Sequence, residues 1–351
     1  MAIKVLIIDD SPLMRLLLKE ILGEARDIEV VGTAPNPLAA REMIKSLKPD
    51  VLTLDVEMPQ MGGLEFLRRL MHLRPMPVVM VSSHTAEGSA VTLQALELGA
   101  VDFITKPVAG SPTVLRQYGE EICEKVRAAG SARIRSRVSE VSRPSSHAGA
   151  GARLDAGGRM RTEGVIAIGA STGGTEAIRE ILQALPAEIP PVVMVQHMPE
   201  TFTASFAQRL DGLSALTVAE VRDGQRLCSG HAYLAPGHSH FSVRRTGSGY
   251  VAELARSAPV NRHRPSVDVL FQSVSQHYRQ NALGIILTGM GRDGAQGLLA
   301  MHQAGAWTLG QDQQSCVVYG MPRAAAELGA LDEVAPLSDI AIRILSRLRQ
   351  S

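Results

Sequence analysis

Lysine is missing from the second half of this 351-residue chain: Lys125 is the last one, and every basic side chain after it is Arg or His. That excludes a phosphate-loop lysine, a lysine general base and a Schiff base from the second half. Aromatic residues make up 3% of the chain, too few for base-stacking surfaces. A formal net charge of +1 gives no electrostatic reason to expect nucleic acid as a partner. The three cysteines, Cys123, Cys228 and Cys316, are widely spaced. They suit neither a disulfide framework nor a zinc site, and point to a reducing cytoplasm. No apolar run approaches membrane-spanning length, and the segment MAIKVLIIDD carries charge too early and too much acid for a secretory signal. No membrane insertion is expected.

What is present is ordinary soluble composition, 45% hydrophobic and 20% charged, in a chain long enough for two cores. In the first half, the apolar runs IKVLII (3–8), VLTL (51–54) and PVVMVS (77–82) read as buried parallel strands. SPLMRLLLKEIL (11–22) and PLAAREMIKSL (37–47) have helical spacing, and the alternation predicts a doubly wound α/β sheet. Polar groups fall where strands end: Asp9 and Asp10, Asp55, Ser82, and Lys106 after AVDFIT. Strand ends of a parallel sheet share one face. Three carboxylates there suit a divalent cation such as magnesium, and a lysine and a hydroxyl would neutralise a phosphoryl group.

This combination resembles the receiver domain of bacterial two-component response regulators, of flavodoxin-like fold, over residues 3–122. The resemblance implies Asp55 as phospho-acceptor, and Mg2+ held by Asp9, Asp10, Asp55 and the backbone of Glu57. It also implies Ser82 and Lys106 as phosphoryl contacts and Phe103 as the switch aromatic. The expected division is a receiver over 1–125, a linker over 126–162 and a second domain over 163–351. The linker holds eight arginines against Glu140 and Asp155, a solvated tether or a docking segment for an acidic partner surface.

The second half repeats the α/β pattern. Strand-like runs are VIAIG (165–169), VVMVQ (192–196), IILTG (285–289) and AWTLG (306–310), with HAYLAPG (231–237) between them. HFSVRR (240–245) and YVAELA (250–255) flank Thr246-Gly-Ser-Gly249 and predict an antiparallel hairpin inserted in a mainly parallel sheet. Three strand ends carry Ser171, His197 and Asp293. A serine needs a base to become a nucleophile, a histidine supplies one, and a carboxylate fixes its tautomer. Other readings stand beside this one. Ser171 could cap the following helix, Asp293 could make a turn, and Asp211, Asp223, Asp268 or Asp312 could be the orienting acid. His231, His238 and His240 have no carboxylate or cysteine obviously placed to complete a metal site. Gly169-Ala-Ser171-Thr-Gly173-Gly174 does not supply G-x-G-x-x-G, and the order Ser, His, Asp differs from that of α/β-hydrolases.

Taken together, IGASTGG, VQHMP, HRPSVDVLF, ILTGMGRDGA and CVVYGMPRAA resemble the chemotaxis protein-glutamate methylesterases, which are also glutamine deamidases. The resemblance implies Ser171 as nucleophile, His197 as general base and Asp293 as its orienter, with backbone groups at Thr172 and Met290 lining an oxyanion site and no cofactor for hydrolysis. Chemotaxis receptors would be the substrate and a chemotaxis histidine kinase the phosphodonor. The expected protein is a cytoplasmic monomer whose unphosphorylated receiver restrains catalysis. The rival classes are a non-enzymatic response regulator and a nucleotide-dependent oxidoreductase.

Overall fold

The structure is a computed structural model that describes residues 2–59, 61–83, 85–107, 112–133, 161–247 and 249–349. It divides into two compact units that part between residues 143 and 144. Of the expected linker, residues 134–160 lie outside the described residues.

The first unit runs β1 (Ile3–Ile8), α1 (Pro12–Gly23), β2 (Ile28–Ala34), α2 (Pro37–Leu47), β3 (Val51–Asp55), α3 (Gly63–Leu73), β4 (Val78–Ser82), α4 (Ala86–Glu97), β5 (Asp102–Thr105) and α5 (Pro112–Ser131). Its five strands are ordered β2-β1-β3-β4-β5, and every pairing is parallel. Helix starts follow local chemistry. Ser11 Oγ accepts from the Met14 N–H and Asn36 Oδ1 from the Ala39 N–H, and each cap is followed by a proline, which has no N–H to leave unpaired. Strand β2 escapes the sequence reading because it is an edge strand, buried only at Ile28 and Ala34. It therefore has no continuous apolar run. Helix α5 continues six residues past position 125.

The second unit runs β6 (Val165–Ala170), α6 (Gly174–Ala184), β7 (Val192–Gln196), α7 (Glu200–Asp211), β8 (Thr217–Glu220), β9 (His231–Leu234), β10 (His240–Thr246), β11 (Gly249–Ala255) and α8 (Val267–His277). It ends with β12 (Ala282–Ile286), α9 (Ala295–Gln303), β13 (Trp307–Gln311), α10 (Met321–Glu327), β14 (Glu333–Ala335) and α11 (Leu337–Arg349). Seven parallel strands are ordered β14-β13-β12-β6-β7-β9-β8. The expected hairpin, β10 with β11, forms a two-stranded antiparallel sheet of its own. It packs on α8, where Ser273 Oγ accepts from the Val243 N–H at 2.9 Å and Tyr250 stacks on Tyr278 at 3.9 Å. Val267, Leu270, Phe271 and Val274 of α8 are buried against Leu298 and Met301 of α9 in one continuous core.

The order places the site. From β6 the chain steps one way to β7 and then β9 and β8, while β12 and β13 lie on the other side. This reversal opens a crevice at the carboxyl ends of the central strands. Strand β12 ends at Ile286, earlier than the run 285–289 suggested, because Thr288 and Gly289 give their N–H groups to Gln311 Oε1 and the Val318 carbonyl instead of to a neighbouring strand.

Candidate active site

Register sets Ser171 beside His197. Ala170 pairs with Gln196 at the last rung between β6 and β7, and the His197 N–H donates to the Ala170 carbonyl at 3.1 Å. On the other side the Ser171 N–H donates to the Thr288 carbonyl at 3.0 Å. Ser171 therefore stands between the ends of β7 and β12. It does not cap α6: the cap residue is Gly173, with φ +78°, and Ser171 closes the turn through its carbonyl, which accepts from the Gly174 N–H at 2.7 Å. Gly289 leaves room for this bend, since a Cβ there would lie 2.7 Å from Ser171 Cβ.

His197 Nε2 lies 2.8 Å from Asp293 Oδ2. Asp293 is 1% exposed and accepts from four further donors. Val267 N–H reaches Oδ2 at 2.7 Å, while Asn261 Nδ2, Ser266 Oγ and the Asp268 N–H reach Oδ1 at 2.8, 2.7 and 3.3 Å. Three of these donors stand at the first turn of α8, where the helix dipole favours an anion. Burial pushes the Asp293 pKa up, but the hydrogen bond and charge of His197, with the bonds from Asn261 and Ser266, outweigh it and hold it well below the usual carboxylate range. An ionised Asp293 obliges Nε2 to carry the proton. The lone pair is then on Nδ1, which is buried and has no hydrogen-bond partner. The His197 ring is stacked on the ring of His263, with centroids 3.7 Å apart and planes at 13°.

The competing acids are occupied elsewhere. Asp211 accepts from the Val218 N–H, Asp223 from the Leu254 N–H and Asp312 from Ser315. Asp268 sits behind Asp293, sharing Asn261 with it. His231, His238 and His240 each bond to a nearby carbonyl or hydroxyl.

In the first unit, Lys106 Nζ lies 2.8 Å from Asp55 Oδ2 and 3.6 Å from Asp9 Oδ2. Oxygens of Asp9, Asp10 and Asp55 all lie within 4.8 Å of one another. Asp9 Oδ2 is buried without a hydrogen-bond donor, and the Glu57 N–H donates to Asp55 Oδ1 at 3.2 Å. A hard divalent cation fits this oxygen set. Burial raises Asp55 to about 6, with Lys106 pulling it down and Asp9 pushing it up. Ser82 is turned toward α4: its hydroxyl accepts from Thr92 Oγ1 at 2.7 Å and donates to the Gly88 carbonyl at 3.3 Å. Phe103 is buried, with Lys125 Nζ 5.1 Å above its ring.

Two family models match the sequence, the response regulator receiver domain over residues 5–117 and the CheB methylesterase over residues 166–344. A protein-glutamate methylesterase/protein-glutamine glutaminase of Paraburkholderia xenovorans is 56% identical over 99% of this chain and 96% of its own. The chain belongs to the CheB methylesterase family. A relative of the same name from Bordetella bronchiseptica is 58% identical over 99% of this chain and 97% of its own. The Thermotoga maritima CheB methylesterase catalytic domain is 36% identical, with a TM-score of 0.52 over 53% of this chain and all of that one. Within this family framework, His263, Asn261 and Ser266 at the site had no role in the sequence reading. His263 and Ser266 lie in HRPSVDVLF, but nothing in its spacing says that it folds back onto the ends of β7 and β12.

Proposed function

We propose that this chain hydrolyses γ-glutamyl methyl esters and deamidates specific glutamines on chemotaxis receptors, by a Ser171–His197–Asp293 mechanism that phosphorylation of Asp55 accelerates. One observation carries the hydrolytic reading: His197 is tied through Nε2 to a buried carboxylate, leaving the Nδ1 lone pair at the strand end where Ser171 stands.

Nδ1 takes the Ser171 proton as Oγ attacks the ester carbonyl, and Asp293 stabilises the imidazolium that forms. The oxyanion develops against the backbone around Thr172 and Met290. The tetrahedral adduct collapses, the carbonyl–OCH3 bond breaks, and the methoxy oxygen leaves as methanol with the proton from Nδ1. Water then attacks the acyl-enzyme with His197 again as base, releasing the glutamate carboxylate and free Ser171. Glutamine follows the same course and releases ammonia. It reacts more slowly, because an amide is less electrophilic and its nitrogen must be protonated to leave.

In the receiver, Asp9, Asp10, Asp55 and the Glu57 backbone would hold Mg2+, whose charge would offset that of the carboxylates and of a phosphoryl group brought to Asp55 by a chemotaxis histidine kinase. Lys106, already on Asp55, would pair with the phosphoryl oxygens, and Ser82 would turn from Thr92 to meet them. Phe103 would report the change to the surface. The receiver restrains hydrolysis until it is phosphorylated, and the protein works as a cytoplasmic monomer giving sensory adaptation. The receiver is 1–125 with the rest of α5, the linker extends to 162 and the catalytic domain is 163–351.

The test is methanol release from methylated receptor membranes, with and without a small-molecule phosphodonor and Mg2+. Ser171→Ala should abolish release at least about a thousand-fold, and the phosphodonor should raise it in wild type but not in Asp55→Asn. Equal rates with and without phosphodonor would sink the regulatory part; near-normal release by folded Ser171→Ala would sink the catalytic part.

A further inference from the structure

Residues Val260 to His263 form a tight turn on the rim of the crevice. The Val260 and His263 backbones exchange both hydrogen bonds, at 3.0 and 2.9 Å, and the two residues between them, Asn261 and Arg262, have φ of +52° and +68°. Consecutive left-handed residues are the signature of a two-residue hairpin turn, where glycine is the usual occupant. Neither residue here is glycine. Strained backbone of this kind persists when its side chains are held in place, and Asn261 is held. Its amide nitrogen donates to Asp268 Oδ2 at 2.7 Å and to Asp293 Oδ1 at 2.8 Å. The next residue but one, His263, lays its ring against His197. One short turn thus touches both members of the acid–base pair, Asp293 from behind and His197 on its face.

We infer that Asn261 is a positioning residue for hydrolysis: its amide pins Asp293 to Asp268 and fixes the turn that holds His263 against His197. The inference rests on the Ser171–His197–Asp293 reading. Asp293 Oδ2 must face His197 for Nε2 to keep its proton, and the donors on Oδ1 set the rotation of the carboxylate. Two of the three come from α8 and its cap, Ser266 and the Asp268 N–H. Asn261 is the donor that ties this carboxylate to the turn carrying His263. Its NH2 group has two hydrogens, and two buried carboxylates take them.

The choice of substitution separates the hydrogen bonds from the backbone. Asn261→Gly accepts the left-handed φ at least as readily as asparagine, so the turn can form while the amide is gone. In the full chain we expect kcat for methanol release to fall about ten- to a hundred-fold, as for a lost hydrogen bond to a charged group. KM should stay within about two-fold and the melting temperature close to wild type. Asn261→Asp keeps the shape but sets a third carboxylate against Asp268 and Asp293, and should lose more kcat than the glycine variant. A folded Asn261→Gly protein with wild-type kcat, or one altered in KM alone, overturns the inference: asparagine would then be a turn former or a substrate contact. Ser171→Ala is run alongside. If it stays active, the triad reading fails on its own account, whatever Asn261 does.

Discussion

His197 meets Asp293 through Nε2, at 2.8 Å, so the ring nitrogen left without a partner is Nδ1, the one nearer the backbone. In the familiar serine triad the assignment is the reverse, with Nδ1–H on the acid and Nε2 facing the serine. The parallel register explains the difference. Ser171 and His197 follow paired residues on neighbouring strands, so the serine sits close to the histidine backbone, while Asp293 reaches the far side of the ring from the loop before α9.

Replacing the acid should therefore show in kcat. Asp293→Asn leaves the buried donors of α8 with an acceptor but removes the charge that stabilises the imidazolium. We expect kcat for methanol release to drop by about a thousand-fold or more with KM little changed, measured by steady-state kinetics on methylated receptor membranes.

The same carboxyl should shape the acid limb of stability. Its folded-state pKa is held below the ordinary value of 3.8. The unfolded chain therefore binds the proton first, and the stabilisation is complete above the ordinary carboxylate range and lost as pH falls through it. Urea unfolding of the catalytic domain's signal, followed from pH 6 down to about pH 3, should fall more steeply for wild type than for Asp293→Asn. Parallel curves would contradict the assignment.

Asp55 carries the opposite sign. Burial raises it to about 6, so the folded state binds the proton more tightly and stability declines as pH rises across the window from about 4 to 6. Without Mg2+, Asp55→Asn should make the receiver more stable than wild type at pH 7, by on the order of 1–3 kcal/mol. Lys106→Ala should raise the Asp55 pKa further, since Lys106 lowers it in the native site. Denaturant melts at pH 4 and pH 7 with a chelator present check both.

Gly289→Ala tests the packing under Ser171, the proposed nucleophile. The new methyl would lie 2.3 Å from Met321 Sδ and 2.7 Å from Ser171 Cβ, so something must move. Overpacking of this kind costs about 1–3 kcal/mol, and because one neighbour is Ser171, activity should fall more than the melting temperature suggests. A variant with reduced stability and full kcat would show that Met321 alone gives way.

How much of this was legible beforehand depended on local signals. The strands ending in Ser171 and His197 announce themselves as VIAIG and VVMVQ, and their polar ends follow from the rule for parallel sheets. The strand before Asp293 was offset by three residues, because the run continues through Thr288 and Gly289 after their N–H groups have left the ladder. Asp293 itself stood among several possible acids, and only the tertiary arrangement shows Asp211, Asp223 and Asp312 bonded elsewhere. Edge strands β2, β8 and β14 are short or half exposed and leave no clean periodicity. The Asn261 turn was invisible for a further reason: neither Asn-Arg nor the segment around it carries a glycine to mark a left-handed bend.

Strand β6 pairs with β7, which follows within about thirty residues, and with β12, which arrives more than a hundred residues later. Synthesis runs in that order. A nascent chain that has emerged as far as β11 can already align Ser171 with His197, but it has neither the carboxylate to settle the histidine tautomer nor the helix N-terminus that cradles it. On the proposed triad, hydrolytic competence should wait for the sheet to close on its other side, and a chain truncated before β12 should be inert.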